Sequence, residues 1–510
     1  MFFVLSLTAI IVLVLIHHLV RKCSYRWKML RKFPGDTPLP IIGNALQIGF
    51  DADEVSHKLM ALWRKHGMEN FRMTVGSEDW VFVCNPDDTI LSHPTELSKP
   101  LERNTAMMPF FGNSVSTSEG ERWRYTRKLM APSFQFKTLE GRASDVNLHC
   151  YRLFNVLDNS VNKGPIDMYR YLKPFMFDLL CGEYNKLNVF VYILYVLGEY
   201  IIFCRCLKII TTNYFSYWRN IRPVFVLTPM YWEMMENIKT IRAMSDDIIK
   251  QRKEKLNRIV NEMRINNKDI SNADLEDLIE RNLSANACLL DSFLLSKLPN
   301  GEPTPDDIIN EEITLVCFTG HYTTTITMSH TLYFLAKYPD IQQKVLEEQR
   351  AIFDNDLSKK PTPNELAQMK YLEAVIKESM RAIPTVTKIG RQLQNDMKFK
   401  DGRIAPAGSS VIVLYEAMFQ DPKIFHEPEK FNPDRFFNTL HTFAFVPFSA
   451  GPRNCIGFRY AWVAMKTTLS NILRRYEVLL GGPGTEPELA FRIITESKNG
   501  IQLQLRRREI

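Results

Sequence analysis

Cys455 lies in a short stretch whose residue types suit a thiolate that binds a metal ion. The stretch runs from Phe448 to Gly457 and reads FSAGPRNCIG. Gly451 and Gly457 lack a Cβ atom, so the main chain can bend tightly and a flat cofactor can approach it closely. Phe448 can shield the sulfur from water. The sequence therefore predicts that Cys455 is a metal ligand; the alternative is a small buried apolar residue, the usual environment of a free cysteine.

A helix is predicted directly after this stretch, and it would stabilise the thiolate. Residues 459–473 carry apolar side chains at the spacing of an amphipathic helix. Cys455 would then lie at the helix N-terminus, where unpaired amide N–H groups and the helix dipole favour an anion. Hydrogen bonds at this position would tune the donor strength of the sulfur.

Trp123 and Arg127 lie four residues apart on a predicted helix that starts at Gly120 and ends at Pro132. That spacing places both side chains on one face. An indole N–H and a guanidinium that point the same way can hydrogen-bond and neutralise a carboxylate of a bound group. The alternative is an exposed basic helix.

The longest predicted helix covers residues 304–337. Its first residues, Thr-Pro-Asp-Asp, supply an N-cap, a proline at the first helical position and acids in the first turn. At 1.5 Å per residue the helix would be about 50 Å long, enough to cross a domain. Residues 317–325 contain Gly320 and several threonines, which weaken a helix, so a local opening is expected there. The alternative is a plain core helix.

Two pairs of opposite charges occur at helical i, i+3 spacing, and the spacing alone does not distinguish them. Glu347 with Arg350 and Glu378 with Arg381 both fit a solvated helix face. Between the second pair and Cys455, residues 408–415 are apolar and β-branched enough to form a strand.

The composition indicates one large globular domain. The chain has 510 residues, of which 45% are hydrophobic, and its net charge of +7 is too small to indicate a nucleic-acid partner. Nine scattered cysteines, without paired zinc-like spacing, favour a reducing compartment. The fold class is predicted to be mainly α (α+β), with small antiparallel sheets packed to one side.

The amino terminus predicts a membrane anchor. Residues 1–20 contain no Lys, Arg, Asp or Glu, and several basic residues follow from Arg21 onward. We therefore interpret residues 1–22 as an uncleaved transmembrane signal anchor with the downstream chain in the cytoplasm, a cleavable signal being the alternative. Residues 23–44 are predicted to be a basic and proline-rich linker, extended over residues 33–44, and residues 45–510 the globular domain. The apolar segment 188–210 is predicted to be a buried or membrane-dipping helix, because Glu199 and Arg205 disfavour a second span.

The pattern Phe-x-x-Gly-x-Arg-x-Cys-x-Gly resembles the haem-thiolate signature of the cytochromes P450. From about residue 34 onward the chain is most similar to the fatty-acid-hydroxylating family 4 branch. This resemblance implies the cytochrome P450 fold and a haem b whose axial ligand is Cys455. It also implies that Phe448 and Gly457 border the haem and that four side chains bind its propionates: Trp123, Arg127, Arg391 and Arg453.

The resemblance also assigns roles to the centre of the long helix. Gly320, His321, Tyr322 and Thr323 are implied to lie on the distal side of the haem, with the Thr323 hydroxyl aiding proton delivery. The family has an acid where this chain has Tyr322, and a phenol cannot act as an ionised relay at neutral pH. Related enzymes carry a glutamate that esterifies the haem where this chain has Thr319, so no covalent link is expected. A buried ionic triad is implied for Glu378, Arg381 and Arg435.

The implied activity is that of a monooxygenase, which inserts one atom of dioxygen into an apolar substrate such as a fatty acid, another lipid or a xenobiotic. Electrons would come from NADPH through a partner reductase, with cytochrome b5 as a second candidate donor. The implied location is the endoplasmic reticulum membrane, with the haem domain on the cytoplasmic face. Two alternatives are a haem-thiolate isomerase or dehydratase that acts on peroxides and a non-catalytic haem-binding protein.

Overall fold

The computed structural model describes residues 2–49, 51, 53–93, 95–100, 107–135, 142–181, 202, 205–206, 209–210, 225–266, 289–298 and 300–508. Apart from five isolated positions, segment 188–210 lies outside these ranges, and so does its predicted helix. The predicted mainly helical architecture with small antiparallel sheets is confirmed within them.

Helices make up most of the described chain, because apolar residues recur at intervals of three and four along the longer segments. The helices are α1 (Phe2–Cys23), α2 (Tyr25–Leu30), α3 (Ala45–Ile48), α4 (Val55–Lys65), α5 (Gly120–Met130), α6 (Arg142–Leu157), α7 (Tyr169–Cys181), α8 (Pro229–Asn266), α9 (Leu289–Leu294), α10 (Asp306–Lys337), α11 (Pro339–Ile352), α12 (Pro363–Gln368), α13 (Lys370–Ala382), α14 (Tyr415–Gln420) and α15 (Phe458–Arg475). Short 3-10 turns cover Ile90–Ser92, Ala131–Phe134, Asp158–Ser160 and Pro433–Phe437.

The strands form small sheets beside the helices. They are β1 (Phe71–Val75), β2 (Glu78–Val83), β3 (Ile166–Asp167), β4 (Lys388–Gln392), β5 (Met397–Lys398), β6 (Ile404–Ala405), β7 (Ser410–Leu414), β8 (Tyr476–Leu480), β9 (Leu489–Phe491), β10 (Thr495–Ser497) and β11 (Gln502–Arg507). The largest sheet has the order β1-β2-β7-β4, and β3-β11-β8, β9-β10 and β5-β6 form the others. All these pairs are antiparallel except β2 with β7, where Trp80 lies opposite Ser410 in parallel register. That parallel pair was not predicted.

Helix α10 passes through the centre of the core and packs against α7, α8, α13 and α15. Most of its residues are buried. Gly320 is required by packing: a Cβ atom there would lie 2.8 Å from a methyl group of Leu180 on α7. The glycine therefore allows α7 and α10 to approach closely.

The predicted local opening of α10 is wrong, because the helix is continuous from Asp306 to Lys337. Four of its threonines follow one another at intervals of four residues, and each of these four hydroxyls donates to the carbonyl one turn earlier. These bonds run from Thr319 to Leu315 (2.8 Å), Thr323 to Thr319 (2.8 Å), Thr327 to Thr323 (3.0 Å) and Thr331 to Thr327 (2.8 Å). Back-bonding satisfies these hydroxyls within the helix, and packing on all sides outweighs the weak helix propensity.

The amino-terminal segment was predicted to hold a transmembrane anchor over residues 1–22, and it folds as the 22-residue helix α1. No helix in the described ranges has both the length and the sustained apolar character that a membrane span requires. The C-terminal end of α1 is joined to the globule by an ion pair between Arg21 and Asp79.

The predicted linker, residues 23–44, is packed against the domain. It contains α2, and Phe33 is buried against the globule. Gly43 also pairs with Val75 of β1. Apolar burial of this kind ties the segment to the domain.

Candidate active site

A cavity of about 280 Å³ lies between α10 and the loop that precedes α15. Thr323 and Cys455 both line it, one from each of these elements. Its walls are mostly apolar, and no Asp, Glu, Lys, Arg or His is among its described lining residues. The other lining residues include Gly320, Thr327, Pro384, Thr385, Val386, Ile389, Phe448, Ile456, Gly457 and Ala461. Such a space accepts a large apolar group and excludes charged ones.

The side chain of Cys455 is accessible, although it lies deep in the protein, because it faces this cavity. Burial raises the pKa of the Cys455 thiol, while the Gly457 N–H and the Arg127 guanidinium oppose that rise. The helix N-terminus thus stabilises the Cys455 thiolate as predicted, but it lowers the pKa by less than burial raises it. A thiolate here needs a further positive partner, which a bound metal ion supplies.

The backbone of the Cys455 loop is held by local bonds. The Cys455 N–H donates to the Phe448 carbonyl at 2.9 Å. Gly451 has φ of 73°, a left-handed conformation that favours glycine. Gly457 does not use the conformational freedom of glycine, since its φ of −87° is ordinary and it forms the N-cap of α15. An added Cβ atom at Gly457 would come no closer than 3.8 Å to Phe134, which is an ordinary contact distance. The space beside Gly457 is therefore open.

Phe448 borders the cavity beside two other aromatic rings. Its ring centroid lies 6.0 Å from that of Trp462 and 6.4 Å from that of Phe458, both on α15. Of these three rings, Phe448 lines the cavity and adds apolar surface beside Cys455.

The predicted propionate-binding residues lie close to one another near the Cys455 loop. The Arg453 guanidinium stacks on Trp123, with 4.2 Å between its Cζ atom and the ring centroid. Arg453 donates to the carbonyls of Leu97 (3.2 Å), Val115 (3.3 Å) and Ser118 (2.7 Å). Arg127 donates to the Asn454 carbonyl at 2.7 Å. Neutral carbonyls orient these guanidinium groups but do not cancel their charge.

Positive charge is in excess at this cluster. Burial lowers the pKa of Arg453 to about 10, and the charges of Arg391 and Arg127 lower it further, while Glu119 opposes them. Burial also lowers the pKa of Arg127. Because the charges of Arg391 and Arg127 disfavour that of Arg453, an anion bound beside Arg453 would be stabilised. A haem, with two carboxylates at one edge and apolar surface elsewhere, fits both the cluster and the cavity.

The residues beside Thr323 on α10 do not all face the cavity. Gly320 and Thr323 line it, whereas His321 and Tyr322 are not among its lining residues. His321 is buried, its Nδ1 bonds to the Cys317 carbonyl, and burial lowers its pKa to about 4. The Tyr322 hydroxyl donates to Glu496 of β10. The structure therefore brings two of the four predicted distal residues to the cavity.

The residues predicted as an ionic triad lie together near the cavity wall. Glu378 is fully buried and pairs with Arg381 at 2.8 Å and with Arg435 at 3.1 Å. It also accepts the backbone N–H of Asn432 at 2.8 Å. The pair of Glu347 with Arg350 differs, since Glu347 is exposed.

Glu312 of α10 is a site residue that sequence reasoning missed. It is fully buried, and its two carboxylate oxygens accept the Val115 N–H at 2.9 and 3.0 Å. Burial raises its pKa to about 8, against the opposing effects of the Val115 N–H and of Arg122. Because the Val115 carbonyl accepts from Arg453, Glu312 supports the arginine cluster through one loop residue. The sequence did hold a signal for its burial: Glu312 lies three residues after Ile309 and four before Val316, on the same apolar helix face.

Comparisons with known proteins agree with this geometry. The cytochrome P450 family model matches residues 33–504. Cytochrome P450 4c3 of Drosophila melanogaster is 28% identical over 499 residues, covering 94% of this chain and 90% of that protein. The probable cytochrome P450 4s3 of the same species is 31% identical over 484 residues, covering 93% and 92%. Cytochrome P450 4e5 of Drosophila mettleri, whose name includes the word mitochondrial, is 29% identical over 503 residues, covering 92% and 93%.

Proposed function

The chain belongs to the cytochrome P450 family and is a monooxygenase; on that premise, we propose that it oxidises an apolar substrate with electrons from NADPH. The substrate classes are a fatty acid, another lipid or a xenobiotic. A partner reductase would bind the NADPH, with cytochrome b5 as a second candidate donor.

One observation carries the proposal: Cys455 and Thr323 line one apolar cavity from two different elements. A haem b in this cavity would be held by Cys455 through its metal and by Arg127, Arg391, Arg453 and Trp123 through its propionates. When bound, it would supply the reductive activation of dioxygen and the transfer of one oxygen atom to the substrate.

The protein's own contribution would be to hold the reactants and to exclude water. The apolar walls favour an uncharged part of the substrate over water. Thr323 is half-buried, and its hydroxyl donates a hydrogen bond to the Thr319 carbonyl. The hydroxyl oxygen can still accept a hydrogen bond from a group in the cavity. We assign it the role of holding a proton at that oxygen.

The sequence left a peroxide isomerase or dehydratase open as an alternative to the monooxygenase. It was favoured by Tyr322 in place of an acid, but Tyr322 is not among the residues that line the cavity. That observation removes the feature that supported it, and the Thr323 hydroxyl in the cavity supports the monooxygenase instead. The non-catalytic haem-binding protein shares the same site geometry, so turnover has to separate it from the enzyme.

The proposed location is a membrane of the endoplasmic reticulum, with the catalytic domain on its cytoplasmic face. Helix α1 carries several exposed apolar side chains, among them Phe3, Leu13 and Val20. Apolar surface of this kind favours attachment to a bilayer. Alkaline extraction of membranes from cells that express the full chain would test attachment.

The assignment of Cys455 is tested by its replacement. Cys455→Ala is expected to abolish the red-shifted Soret band of the reduced protein with carbon monoxide, because the thiolate ligand is lost. Cys317→Ala is a matched control, since Cys317 is another buried cysteine but does not line the cavity. A red-shifted band that persists in Cys455→Ala would remove the assignment.

Turnover separates the three candidate functions. The monooxygenase should form product with a reductase and NADPH, whereas the isomerase or dehydratase should consume a hydroperoxide without electrons. A haem-binding protein should do neither. Product from the hydroperoxide alone, with none from NADPH, would overturn the proposed function.

A further inference from the structure

Tyr322 adjoins Thr323 in sequence, but its side chain is committed to a different part of the protein. It is fully buried, and its ring stacks on Phe318 with 5.5 Å between centroids. Its hydroxyl donates to one carboxylate oxygen of Glu496, and the other oxygen accepts from Arg492 at 2.7 Å. The phenol thus joins α10 to the hairpin formed by β9 and β10, which we call the β9–β10 hairpin (489–497).

The other side of the β9–β10 hairpin is joined to residue 53. Arg492 donates to the two carboxylate oxygens of Asp53 at 2.6 and 3.3 Å, and Lys498 pairs with Asp53 at 2.8 Å. Burial raises the pKa of Asp53, but bonds from Arg492 and Lys498 outweigh it and lower the pKa to about 2. These charges therefore remain in place throughout the neutral pH range.

The β9–β10 hairpin in turn holds one wall of the cavity. Thr495 donates its N–H to the Thr385 carbonyl at 2.9 Å and its hydroxyl to the Pro384 carbonyl at 2.7 Å. Val386 forms a bridge with Ile494. Residues 384–386 line the cavity but belong to no helix or named strand, so these bonds fix their backbone.

A bond back to α10 closes the ring of contacts. The hydroxyls of Thr385 and Thr327 lie 2.8 Å apart, and Thr327 also lines the cavity. The wall at 384–386 is thus positioned from two directions by one helix, directly through Thr327 and indirectly through Tyr322 and the β9–β10 hairpin. A change at Tyr322 can move the wall without touching any ligand.

We propose that Tyr322 and Glu496 are positioning residues whose buried hydrogen bond sets the cavity wall at 384–386 and thereby decides which ligands the cavity accepts. This inference rests on the proposed function, because it takes the cavity to be the haem and substrate site. It assigns Tyr322 to specificity rather than to proton transfer. Removing the phenol oxygen leaves the buried Glu496 carboxylate with one partner fewer, which loosens the hairpin.

The test compares Tyr322→Phe with the wild-type holoprotein. The probes are neutral azoles of increasing size, whose binding is followed by the shift of the haem absorption band. The ratio of dissociation constants for the largest and smallest azole is expected to change by about threefold to tenfold, the range to which one hydrogen bond corresponds. Product formed per NADPH consumed is expected to stay within about twofold of wild type.

Hydrogen exchange provides a readout that needs neither ligand nor turnover. Backbone amides in 385–387 and 493–497 are expected to exchange faster in Tyr322→Phe. Tyr171→Phe is the control: its hydroxyl bonds to Ser160 at 3.0 Å, away from both segments. Glu496→Gln tests the bond from its other side, and the double variant should show less than the sum of the two single effects.

Three results would overturn the inference. One is unchanged exchange in both segments of Tyr322→Phe and Glu496→Gln. The second is an unchanged azole ratio with a fall in product per NADPH, which would make Tyr322 a proton carrier. The third is an equal change in Tyr171→Phe. If wild-type protein lacks the thiolate spectrum, the proposed function fails, and the exchange data still decide whether the hydrogen bond holds the wall.

Discussion

Glu312 shows how a single buried side chain can contribute to the pH response of the domain. It lies on α10 with no exposed surface, and its pKa is raised to about 8 mainly by burial. In the unfolded chain the same carboxyl group ionises near pH 4.5. Between these two values the folded protein holds a proton that the unfolded chain has lost, so folding stability falls as pH rises from about 5 to about 8.

Glu312→Gln is expected to remove this part of the pH dependence. Between pH 5 and pH 8, the free energy of unfolding of the variant should fall by on the order of 2 kcal/mol less than that of wild type. Its amide oxygen can still accept the Val115 N–H, so the arginine cluster should stay in place. Urea unfolding at several pH values measures the difference, and Glu347→Gln, at an exposed position of α11, is the control. Parallel pH profiles for wild type and Glu312→Gln would contradict the argument.

The sequence was informative at residue scale where the signal is local. The positions of Cys455 at the cavity and of Trp123 and Arg127 beside its loop could be predicted, because each lies in a short pattern of fixed spacing. Their roles toward a bound group stay predictions. Glu496 could not be predicted, since it meets Tyr322 across 174 residues and only the packed fold brings the two together. The hypothesis that Tyr322 impairs proton delivery took its side chain to face the cavity, whereas the phenol bonds to Glu496 instead.

At the scale of elements, the triad of Glu378, Arg381 and Arg435 joins α13 to the 3-10 turn Pro433–Phe437. Glu378 carries no exposed surface and satisfies both arginines and one backbone N–H. Removing one charge from such a set leaves the remaining charges buried without full compensation. The triad is therefore expected to govern folding yield more than chemistry.

Glu378→Gln is expected to cost about 3–5 kcal/mol of folding stability and to give little soluble holoprotein. Glu347→Gln is the matched control: it has the same helical spacing to an arginine, but Glu347 is exposed. The measurements are soluble yield and the denaturation midpoint of whatever holoprotein forms. Equal losses in the two variants would show that burial does not distinguish the two pairs.

Helices and strands were predictable where one local pattern dominated. The expected helix at 304–337 and strand at 408–415 correspond to Asp306–Lys337 and Ser410–Leu414. The opening in α10 was mispredicted because propensity was counted without the bonds that the threonine hydroxyls make to their own helix. The parallel pairing of β2 with β7 joins strands more than 300 residues apart, a distance over which local patterns carry no information.

At the scale of the whole molecule, α1 is attached to the globule mainly through its last turn. Arg21 pairs with Asp79 and also donates to the Gly76 carbonyl at 3.2 Å. Asp79 has further partners, because Arg26 lies 2.8 Å away and the Thr74 hydroxyl donates to it at 2.9 Å. Loss of α1 therefore leaves this buried carboxylate paired, and the rest of the fold should persist.

Exposed apolar side chains also occur far from α1 in the sequence. At the start of α8 and just before it, Leu227 is 84% exposed and Trp232 is 61% exposed. A cluster of large apolar residues in water is costly, and contact with a bilayer surface removes that cost. We expect this patch to give the domain a second, weaker membrane contact.

Deletion of residues 2–22 is accordingly expected to reduce membrane attachment without abolishing it, while the denaturation midpoint and haem content stay close to wild type. The measurement is the fraction of protein that pellets with membranes at neutral pH, compared with the fraction after alkaline extraction. In the deleted chain, Leu227→Ser with Trp232→Ser should remove most of the remaining attachment, because these substitutions lower the apolar area available to lipid. Leu295→Ser, at an exposed leucine outside the patch, is the control. If the deleted chain is fully soluble, or if the patch variant pellets as much as its control, the second contact does not exist.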